Sequence, residues 1–253
     1  MQIFSHDDVD AFNGAYPENM CAWDDYCRAA DRVTVVEHPI LADVIRVLRD
    51  RRTLPAKFRR YTRTACQALL WEATRTLPLS RERTPSVHGL RDNPLLTPTQ
   101  KLTSDSVDWA VILRAGDAFK DPALRLLPKS RVATYGIKRN DETLEPELYK
   151  RSLPPEIVGR EVCIVDPMFA TGGSALYVVS DLKHEGVKRI TLVCIFASAP
   201  GILRLKAAHP DVRIVTAALD PILNARGYIV PGCGDFGDRY NGTESIEEDV
   251  LAA

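Results

Sequence analysis

Residues 162–174 combine a short apolar run, an acidic residue and a turn of small residues, in that order. The run Val162–Val165 has only apolar and Cys side chains, and it stops at Asp166. An uninterrupted run of this kind is typical of a strand buried on both faces, as in a parallel sheet. Ala170–Ser174 then supplies the small residues of a tight turn that opens a helix. The chain is therefore expected to fold around a parallel sheet.

The turn itself is expected to bind a phosphate. Gly172 and Gly173 lack a Cβ, so backbone N–H groups can approach an anion, and a helix from Ser174 adds more of them. The Lys of a nucleoside-triphosphate loop and the Gly-x-Gly-x-x-Gly of a dinucleotide site are both absent. A carboxylate beside the turn, Asp166, suits a sugar monophosphate whose ribose hydroxyls face the acid. The alternative is that the two glycines form only a tight strand-to-helix turn.

Strand and helix patterns alternate along the second half of the chain. The predicted strands are Val107–Leu113, Arg131–Ile137, Glu161–Val165, Ile190–Ala197 and Val212–Ala217. The predicted helices between them are Asp117–Leu127, Ser174–Glu185 and Gly201–Ala208. This alternation predicts an α/β fold with a central parallel sheet flanked by helices, and with ligands at the carboxyl ends of the strands.

The first hundred residues give weaker signals. Apolar spacing predicts helices within His38–Arg52 and from Pro55 to about Thr76. Leu79–Leu102, which contains three X-Pro pairs, is expected to be loop or short antiparallel strand. Residues 1–32 contain Phe12, Tyr16, Trp23 and Tyr26 among acidic residues, more aromatics than a disordered tail would carry. We expect them to pack on the domain or on a second subunit.

Composition excludes several classes of function. The 253 residues carry a net charge of −1, which gives no field to attract nucleic acid or an anionic membrane. No run approaches the ~18 apolar residues of a membrane span. The N-terminus has early acids and no apolar core of a secretory signal. The six cysteines are scattered, as buried reduced thiols are. A cytoplasmic protein is expected.

Four motifs occur in an order that resembles one known family, the uracil phosphoribosyltransferases. They are ILRAG (112–116), KRNDETLEP (138–146), DPMFATGGS (166–174) and GYIVPGCGDFGDRYNGT (227–243). The resemblance covers about Val33 to Thr243 and implies the type I phosphoribosyltransferase fold with an N-terminal helical hood. It divides the chain into an extension (1–32) and a domain (33–253), which consists of a hood part (33–106), a core (107–222), a uracil-binding segment (223–243) and an acidic tail (244–253).

The resemblance implies a binding site for 5-phosphoribosyl 1-pyrophosphate (PRPP). Arg114 and Arg139 correspond to arginines that contact the pyrophosphate, to which a planar guanidinium can bind in a bidentate manner. Asp166 is the expected partner of the ribose hydroxyls. The 5′-phosphate is expected on Ala170, Thr171, Gly172, Gly173 and Ser174, and Pro167, Met168 and Phe169 are also expected to bind PRPP. The implied reaction converts uracil and PRPP to UMP and pyrophosphate.

The resemblance also assigns the base site, the metal and the partners. Tyr228, Ile229, Gly234, Asp235 and Phe236 are expected to bind uracil, largely through backbone groups that glycine leaves accessible. Asp235 is expected to be catalytic, with Arg114 and Arg139, and to organise PRPP through Mg²⁺ or bound water. The family further suggests a homodimer or homotetramer and GTP as an activator.

Several alternatives stay open at this stage. A pseudoenzyme or regulator could keep the PRPP and uracil pocket without turnover, and another base could replace uracil. The basic run from Arg49 to Arg52, followed by Arg59 and Arg60, is interpreted as a solvated face, with an allosteric nucleotide site as the second interpretation. His38 and His209 are expected to be cap or packing residues. Asn241 stands where the family usually has Phe, a change expected to remove apolar packing beneath the base loop.

Overall fold

The computed structural model describes residues 4–15, 22–88, 95–103, 107–139 and 146–243. For Arg139 and Pro146 the description is limited to the backbone. The helices within these ranges are α1 (His6–Ala15), α2 (Trp23–Ala30), α3 (Pro39–Arg49), α4 (Pro55–Ala73), α5 (Asp117–Leu126), α6 (Gly173–His184), α7 (Ala199–Ala208) and α8 (Phe236–Asn241).

Eight strands form the main sheet, and the central ones are buried. The eight strands are β1 (Thr34–Val35), β4 (Val107–Leu113), β5 (Val132–Arg139), β6 (Pro146–Ser152), β7 (Glu161–Val165), β8 (Met168–Phe169), β9 (Arg189–Ser198) and β10 (Arg213–Asp220). Two small hairpins lie outside it: β2 (Leu79–Pro85) with β3 (Leu96–Leu102), and β11 (Ile222–Leu223) with β12 (Ile229–Val230).

The main sheet has eight strands in the order β1-β10-β9-β7-β4-β5-β6, with β8 also paired to β9. All pairs are parallel except β5 with β6, which is antiparallel at one edge. In the central pair β4 and β7, Val111 lies opposite Val165, so both strands end at the same edge of the sheet. This register brings the residues after each strand, Arg114 and Asp166, to one side of the molecule.

Helices cover both faces of the sheet, because alternate strand residues point to opposite sides. Ile164 belongs to an apolar cluster with residues of α1, α2, α6 and α7. Its neighbours Cys163 and Val165 belong to a second cluster, with residues of α3, α4, α5 and α8. The predicted central parallel sheet flanked by helices is therefore confirmed. None of the helices in the described part combines the length and apolar character that a membrane crossing requires.

The N-terminal aromatic residues pack on the domain rather than extending from it. Tyr26 is almost fully buried, and its ring stacks on Trp23 at 5.6 Å and meets Phe4 edge-on at 6.3 Å between ring centroids. Phe4 also meets Phe12 edge-on at 5.4 Å. Tyr16 lies outside the described residues. Packing on the domain was one of the two outcomes that the sequence allowed.

The β2–β3 hairpin is longer and more regular than the sequence indicated. Seven residue pairs join its strands in antiparallel register, from Leu79 opposite Leu102 to Pro85 opposite Leu96. Most of its side chains are exposed, and the connection at residues 89–94 lies outside the description. The helix expectations for α3 and α4 are confirmed to within a few residues. The domain boundaries inferred from the resemblance stay a prediction, and β1, which follows residue 33, joins the core sheet.

Candidate active site

A cleft of about 910 Å³ opens at the carboxyl ends of the central strands. The residues that line it come from β4, β5, β6, the segment after β7, and the stretch between β11 and α8. They are Ile112, Leu113, Arg114, Ala115, Ile137, Lys138, Tyr149, Asp166, Met168, Ala170, Ser174, Ala225, Arg226, Gly227, Tyr228, Ile229, Gly234, Asp235, Phe236 and Gly237. Most polar residues predicted from the sequence thus face a single space.

One wall of the cleft is the turn that precedes α6. Gly172 is the residue before the helix and has φ +79°, a left-handed conformation that glycine adopts without steric cost. Its carbonyl accepts the N–H of Leu176 at 2.8 Å, the first bond of the helix. The N–H groups of the first helical turn have no partner within the helix, so this end of α6 presents donors and the positive end of its dipole. Ala170 and Ser174 line the cleft beside it.

The beginning of α7 supports this turn from behind. The Ser198 hydroxyl donates to the Ala170 carbonyl at 2.7 Å and accepts the N–H of Gly201 at 3.0 Å. Arg204 donates to the Thr171 carbonyl at 3.1 Å. A Cβ on Gly201 would stand 2.1 Å from the Ala170 oxygen, so only glycine fits. Ser198 and Gly201 therefore set the position of this turn without lining the cleft.

Asp166 stands at the end of β7 and points into the same cleft. Burial raises its pKa to about 7, and a hydrogen bond from the Met168 N–H at 3.2 Å opposes the rise only in part. The carboxyl therefore changes charge near neutral pH. An acid of this kind can accept hydrogen bonds from a diol when ionised and loses that ability when protonated.

The cations of the site stand on the neighbouring strands. Arg114 directly follows β4, is exposed, and lines the cleft. Lys138 near the end of β5 also lines it and forms an ion pair with Glu147 at 3.0 Å. The side chain of Arg139 and residues 140–145 of the KRNDETLEP motif lie outside the description. The predicted pyrophosphate role of Arg139 stays a prediction.

The opposite wall is a tight hairpin followed by glycine-rich chain. The Asn224 side-chain carbonyl accepts the N–H groups of Arg226 and Tyr228, both at 3.0 Å, and closes the turn between β11 and β12. Tyr228 is exposed, whereas Ile229 is buried. Gly234 has φ +77°. The backbone from Tyr228 to Gly237 therefore borders the cleft with little side-chain bulk.

Two arginines attach this glycine-rich stretch to the end of α3. Arg239, which is 8% exposed, donates to the carbonyls of Leu48, Cys233 and Asp50 at 2.6–2.7 Å. Arg49 donates to the Gly232 carbonyl at 2.8 Å and forms a pair with the buried carboxylate of Asp220. The interpretation of Arg49 as part of a solvated face is wrong. The local sequence does not show its partner, which lies 171 residues away.

Asp235 directly precedes α8 and is its N-cap residue. Its Oδ1 accepts the N–H of Asp238 at 2.9 Å, so the side chain caps the helix while the residue lines the cleft. Phe236 follows it and is buried against Phe58, with 5.2 Å between the ring centroids. The next turn places Asn241 on the surface, where its side chain donates to the Gly237 carbonyl at 2.8 Å. Asn241 therefore satisfies a carbonyl of α8.

The structure brings together most of the predicted site residues. Arg114, Asp166, Met168, Ala170, Ser174, Tyr228, Ile229, Gly234, Asp235 and Phe236 line the cleft, while Pro167 and Phe169 are buried beneath it. Thr171, Gly172 and Gly173 complete the turn at its edge. Sequence reasoning missed Tyr149, whose ring would collide with a Cβ on Gly136, and the supporting residues Ser198 and Gly201. Ser198 followed by Pro200 is a helix-start signal that could have identified α7 as the support.

His38 and His209 have the roles that were expected of them. His38 accepts the N–H of Ile40 at 3.2 Å and caps α3. His209 contacts Ser180 and Lys183 at 3.1 and 3.3 Å on the surface of α6. Neither residue lines the cleft. Both are therefore cap or packing residues.

Comparison with known proteins agrees with this site. A family model described as uracil phosphoribosyltransferase matches residues 35–243. A uracil phosphoribosyltransferase of Dictyoglomus turgidum is 42% identical over 214 residues, which are 84% of this chain and 100% of the relative. One of Agrobacterium fabrum is 41% identical over 215 residues, 85% of this chain and 100% of the relative. The solved AQ2163 protein from Aquifex aeolicus superposes with a TM-score of 0.75 at 31% identity, over 85% of this chain and all of that one.

Proposed function

The chain belongs to the uracil phosphoribosyltransferase family, and from that premise we propose how its cleft transfers a phosphoribosyl group from PRPP to uracil. The observation that carries the proposal is that the turn before α6 and the stretch from Tyr228 to Gly237 face one cleft. The first wall offers helix donors beside a carboxyl group, and the second offers glycine-rich backbone. A ribose-linked phosphate suits the first, and a planar lactam suits the second. This is the substrate pair of the family's reaction.

Transfer breaks the bond between C1 of the ribose and pyrophosphate, forms a bond from C1 to a uracil nitrogen, and releases the proton of that nitrogen to solvent. The ribose gains positive charge while the leaving pyrophosphate gains negative charge. Arg114 stands where it can stabilise that leaving group, and we assign Arg139 the same role. Asp166 accepts the ribose hydroxyls, and the backbone from Ala170 to Ser174 holds the 5′-phosphate. Fixing both substrates in one cleft supplies the orientation that lowers the barrier.

Backbone groups provide the base specificity in this proposal. Uracil offers two carbonyl acceptors and one N3–H donor. We assign its recognition to the backbone of Ile229, Gly234 and Phe236, with Tyr228 at the exposed edge of the base. Cytosine places an amino donor where uracil has a carbonyl, so it would face a main-chain donor and leave it unsatisfied.

The first prediction concerns this choice of base. We expect kcat/KM for uracil to exceed that for cytosine by on the order of 10⁴, because a buried donor without an acceptor is costly. Competition among uracil, cytosine, orotate and hypoxanthine, with the nucleotide products separated by chromatography, measures the ratio. Comparable rates with uracil and cytosine would contradict the backbone assignment. Preference for orotate or hypoxanthine would show that another base is the substrate.

The second prediction concerns pH. Since the pKa of Asp166 is raised to about 7, the free protein holds a proton that PRPP binding must displace. The ionised fraction grows about tenfold between pH 6 and pH 8, so KM for PRPP is expected to fall by about that factor and then level off. In the variant Asp166→Asn, KM for PRPP should vary with pH only as far as the ionisation of the PRPP phosphates requires. The same pH dependence in wild type and variant would contradict the role of Asp166.

Magnesium fits the donors of the cleft. Within the described residues, no group of three or more His, Cys, Asp or Glu side chains could hold a metal alone. Mg²⁺ commonly keeps water and takes one or two carboxylates together with substrate phosphates. Asp235 would provide that carboxylate, and Mg²⁺ would supply charge neutralisation of the pyrophosphate. Calorimetric titration of PRPP with and without Mg²⁺, on wild type and on Asp235→Asn, tests this assignment through binding alone.

An assay with uracil, PRPP and Mg²⁺ tests the proposed function as a whole. Formation of UMP and pyrophosphate in equal amounts is the expected result. Calorimetry on the same sample separates the alternative, since PRPP binding without UMP formation would mean a regulator or pseudoenzyme. A protein that neither binds PRPP nor forms UMP would overturn the site assignment.

The finer expectations about assembly and location have separate support. The exposed β2–β3 hairpin, which pairs only its own two strands in the described residues, supports a homodimer or homotetramer. Light scattering after size exclusion measures this. Basic side chains at Arg51, Arg59 and Arg60 support GTP as an activator, which adding GTP to the assay tests. The buried free thiols of Cys66, Cys163, Cys194 and Cys233 support a cytoplasmic location. Cell fractionation tests this.

A further inference from the structure

The stretch from Tyr228 to Gly237, called the base-binding stretch below, has Gly232 near its middle. Both backbone polar groups of Gly232 form hydrogen bonds to side chains. Its N–H donates to Asp220 Oδ2 at 3.0 Å, and its carbonyl accepts from Arg49 Nη1 at 2.8 Å. It has φ +51°, and a Cβ there would stand 2.2 Å from the Ile229 oxygen. The stretch therefore bends at Gly232, and the bend depends on two side chains outside it.

Arg49 and Asp220 also bind each other in a bidentate manner. Arg49 Nη1 donates to Asp220 Oδ2 at 2.9 Å, and Nη2 donates to Oδ1 at 2.5 Å. Asp220 is fully buried, while Arg49 is about one-fifth exposed. An ion pair in such a setting is stronger when water is kept away, and the loss of one partner leaves a buried charge. Side chains that shield Arg49 from water therefore strengthen the ion pair, and with it the two hydrogen bonds that fix Gly232.

Aromatic rings cover the Arg49 guanidinium. Phe196 of β9 lies 4.8 Å from its Cζ, measured to the ring centroid, and belongs to the core. Phe4 lies 6.0 Å away and belongs to the N-terminal segment. A guanidinium over a ring face is attracted to the negative face of the π system. The N-terminal segment thus contributes part of the cover of the pair.

Tyr26 connects the segment to the same pair. Burial, and next the negative charge of Asp220, raise its pKa to about 12, while a backbone hydrogen bond with Phe4 opposes the rise. Its ring meets Phe4 edge-on and stacks on Trp23. Phe4, Tyr26 and Trp23 therefore form one aromatic cluster, and Phe4 is the member that lies over the Arg49 guanidinium. All three lie before residue 35, where the family match begins.

We propose that Arg49 and Asp220 are positioning residues for the base-binding stretch, and that the N-terminal segment acts on uracil affinity through Phe4, which packs on Tyr26 and covers Arg49. The inference rests on the proposed function, in which the stretch from Tyr228 to Gly237 holds uracil. The phosphate turn is supported by other residues, Ser198 and Gly201. Asp235, near the end of the stretch, is fixed separately as the cap of α8, so the segment is expected to affect the uracil side of the reaction more than the PRPP side.

Steady-state kinetics with Phe4→Ala test this proposal in the full-length protein. Removal of the ring admits water to the guanidinium, so KM for uracil is expected to rise about threefold to tenfold. KM for PRPP and kcat should stay within about twofold, because the turn before α6 is held separately. Phe4→Tyr keeps a ring over Arg49 and should restore the wild-type value. An unchanged KM for uracil in Phe4→Ala would overturn the proposal.

Phe12→Ala is the matched control. It removes a ring of the same size that packs edge-on against Phe4 rather than over the guanidinium. Its midpoint of thermal unfolding should fall about as far as that of Phe4→Ala, while KM for uracil should stay within about twofold. An equal rise of KM in both variants would mean that general loosening of the segment is responsible, and the proposal would be wrong.

A double-mutant cycle tests whether Phe4 acts through Arg49. Arg49→Lys keeps the charge but loses the planar fork that binds Asp220 and Gly232 together, so KM for uracil should rise by about tenfold or more. In that background Phe4→Ala should change KM by less than about twofold. Additive effects would contradict the proposal. Absence of uracil turnover in the wild type would instead contradict the proposed function, so the two failures are distinguishable.

Discussion

Asp235→Asn is expected to lower kcat/KM for UMP formation by about two to three orders of magnitude. The substitution removes a carboxylate from the lining of the cleft. The fold should be preserved, because Asn is as good a helix cap as Asp and can accept the same N–H of Asp238. The loss is therefore expected in turnover and not in the midpoint of thermal unfolding.

Asp238→Asn provides a matched control for this variant. Asp238 lies in the first turn of the same helix, accepts the Thr243 hydroxyl at 2.7 Å, and is not among the residues that line the cleft. The substitution Asp238→Asn removes the same charge from the same helix turn but not from the cleft. For this variant kcat/KM should therefore stay within about threefold of wild type. Near-normal turnover in Asp235→Asn, or an equal loss in both variants, would contradict the role assigned to Asp235.

Gly201→Ala is expected to raise KM for PRPP by about tenfold or more, although Gly201 does not line the cleft. The added methyl group would collide with the Ala170 oxygen, which must move together with the phosphate turn. The Ser198 hydroxyl, which bonds both Ala170 and Gly201, would lose its geometry at the same time. Overpacking of this kind costs about 1–3 kcal/mol, so the midpoint of thermal unfolding should also fall.

The pattern across the two substrates distinguishes this effect from general loss of structure. KM for uracil should change little in Gly201→Ala, because the base-binding stretch is held by Arg49 and Arg239. Gly14→Ala adds the same methyl group in helix α1, where the structure leaves open space. That control should match wild type in both KM values. An unchanged KM for PRPP in Gly201→Ala would mean that α7 does not position the turn.

Much of the core followed from local pattern. The run Val162–Val165 is buried on both faces by the flanking helices, and its pairing with β4 and β9 leaves neither edge open. Such a strand is recognisable because every residue must be apolar. The turn after it was recognisable for a similar reason, since the left-handed conformation of Gly172 needs glycine. Where burial or backbone geometry restricts the residue type, the sequence is informative.

The missed features depend on contacts between distant parts of the chain. Arg49 looks like one member of a basic run, and its buried partner Asp220 is unremarkable at the end of a strand. Gly201 looks like an ordinary helix residue until Ala170 approaches it. The helices α1 and α2 are short, with ten and eight residues, and their aromatic residues find partners only on the folded domain. Tertiary contacts override the local signal in each case.

A crystal structure of the protein with UMP bound tests the central claim most directly, since UMP carries both the phosphate and the base. The phosphate is expected on the backbone from Ala170 to Ser174, the ribose hydroxyls on Asp166, and the base against the backbone from Ile229 to Phe236. Occupation of this cleft in that orientation would support the account. A base bound away from the Ile229–Phe236 stretch, or a phosphate away from the turn before α6, would contradict it.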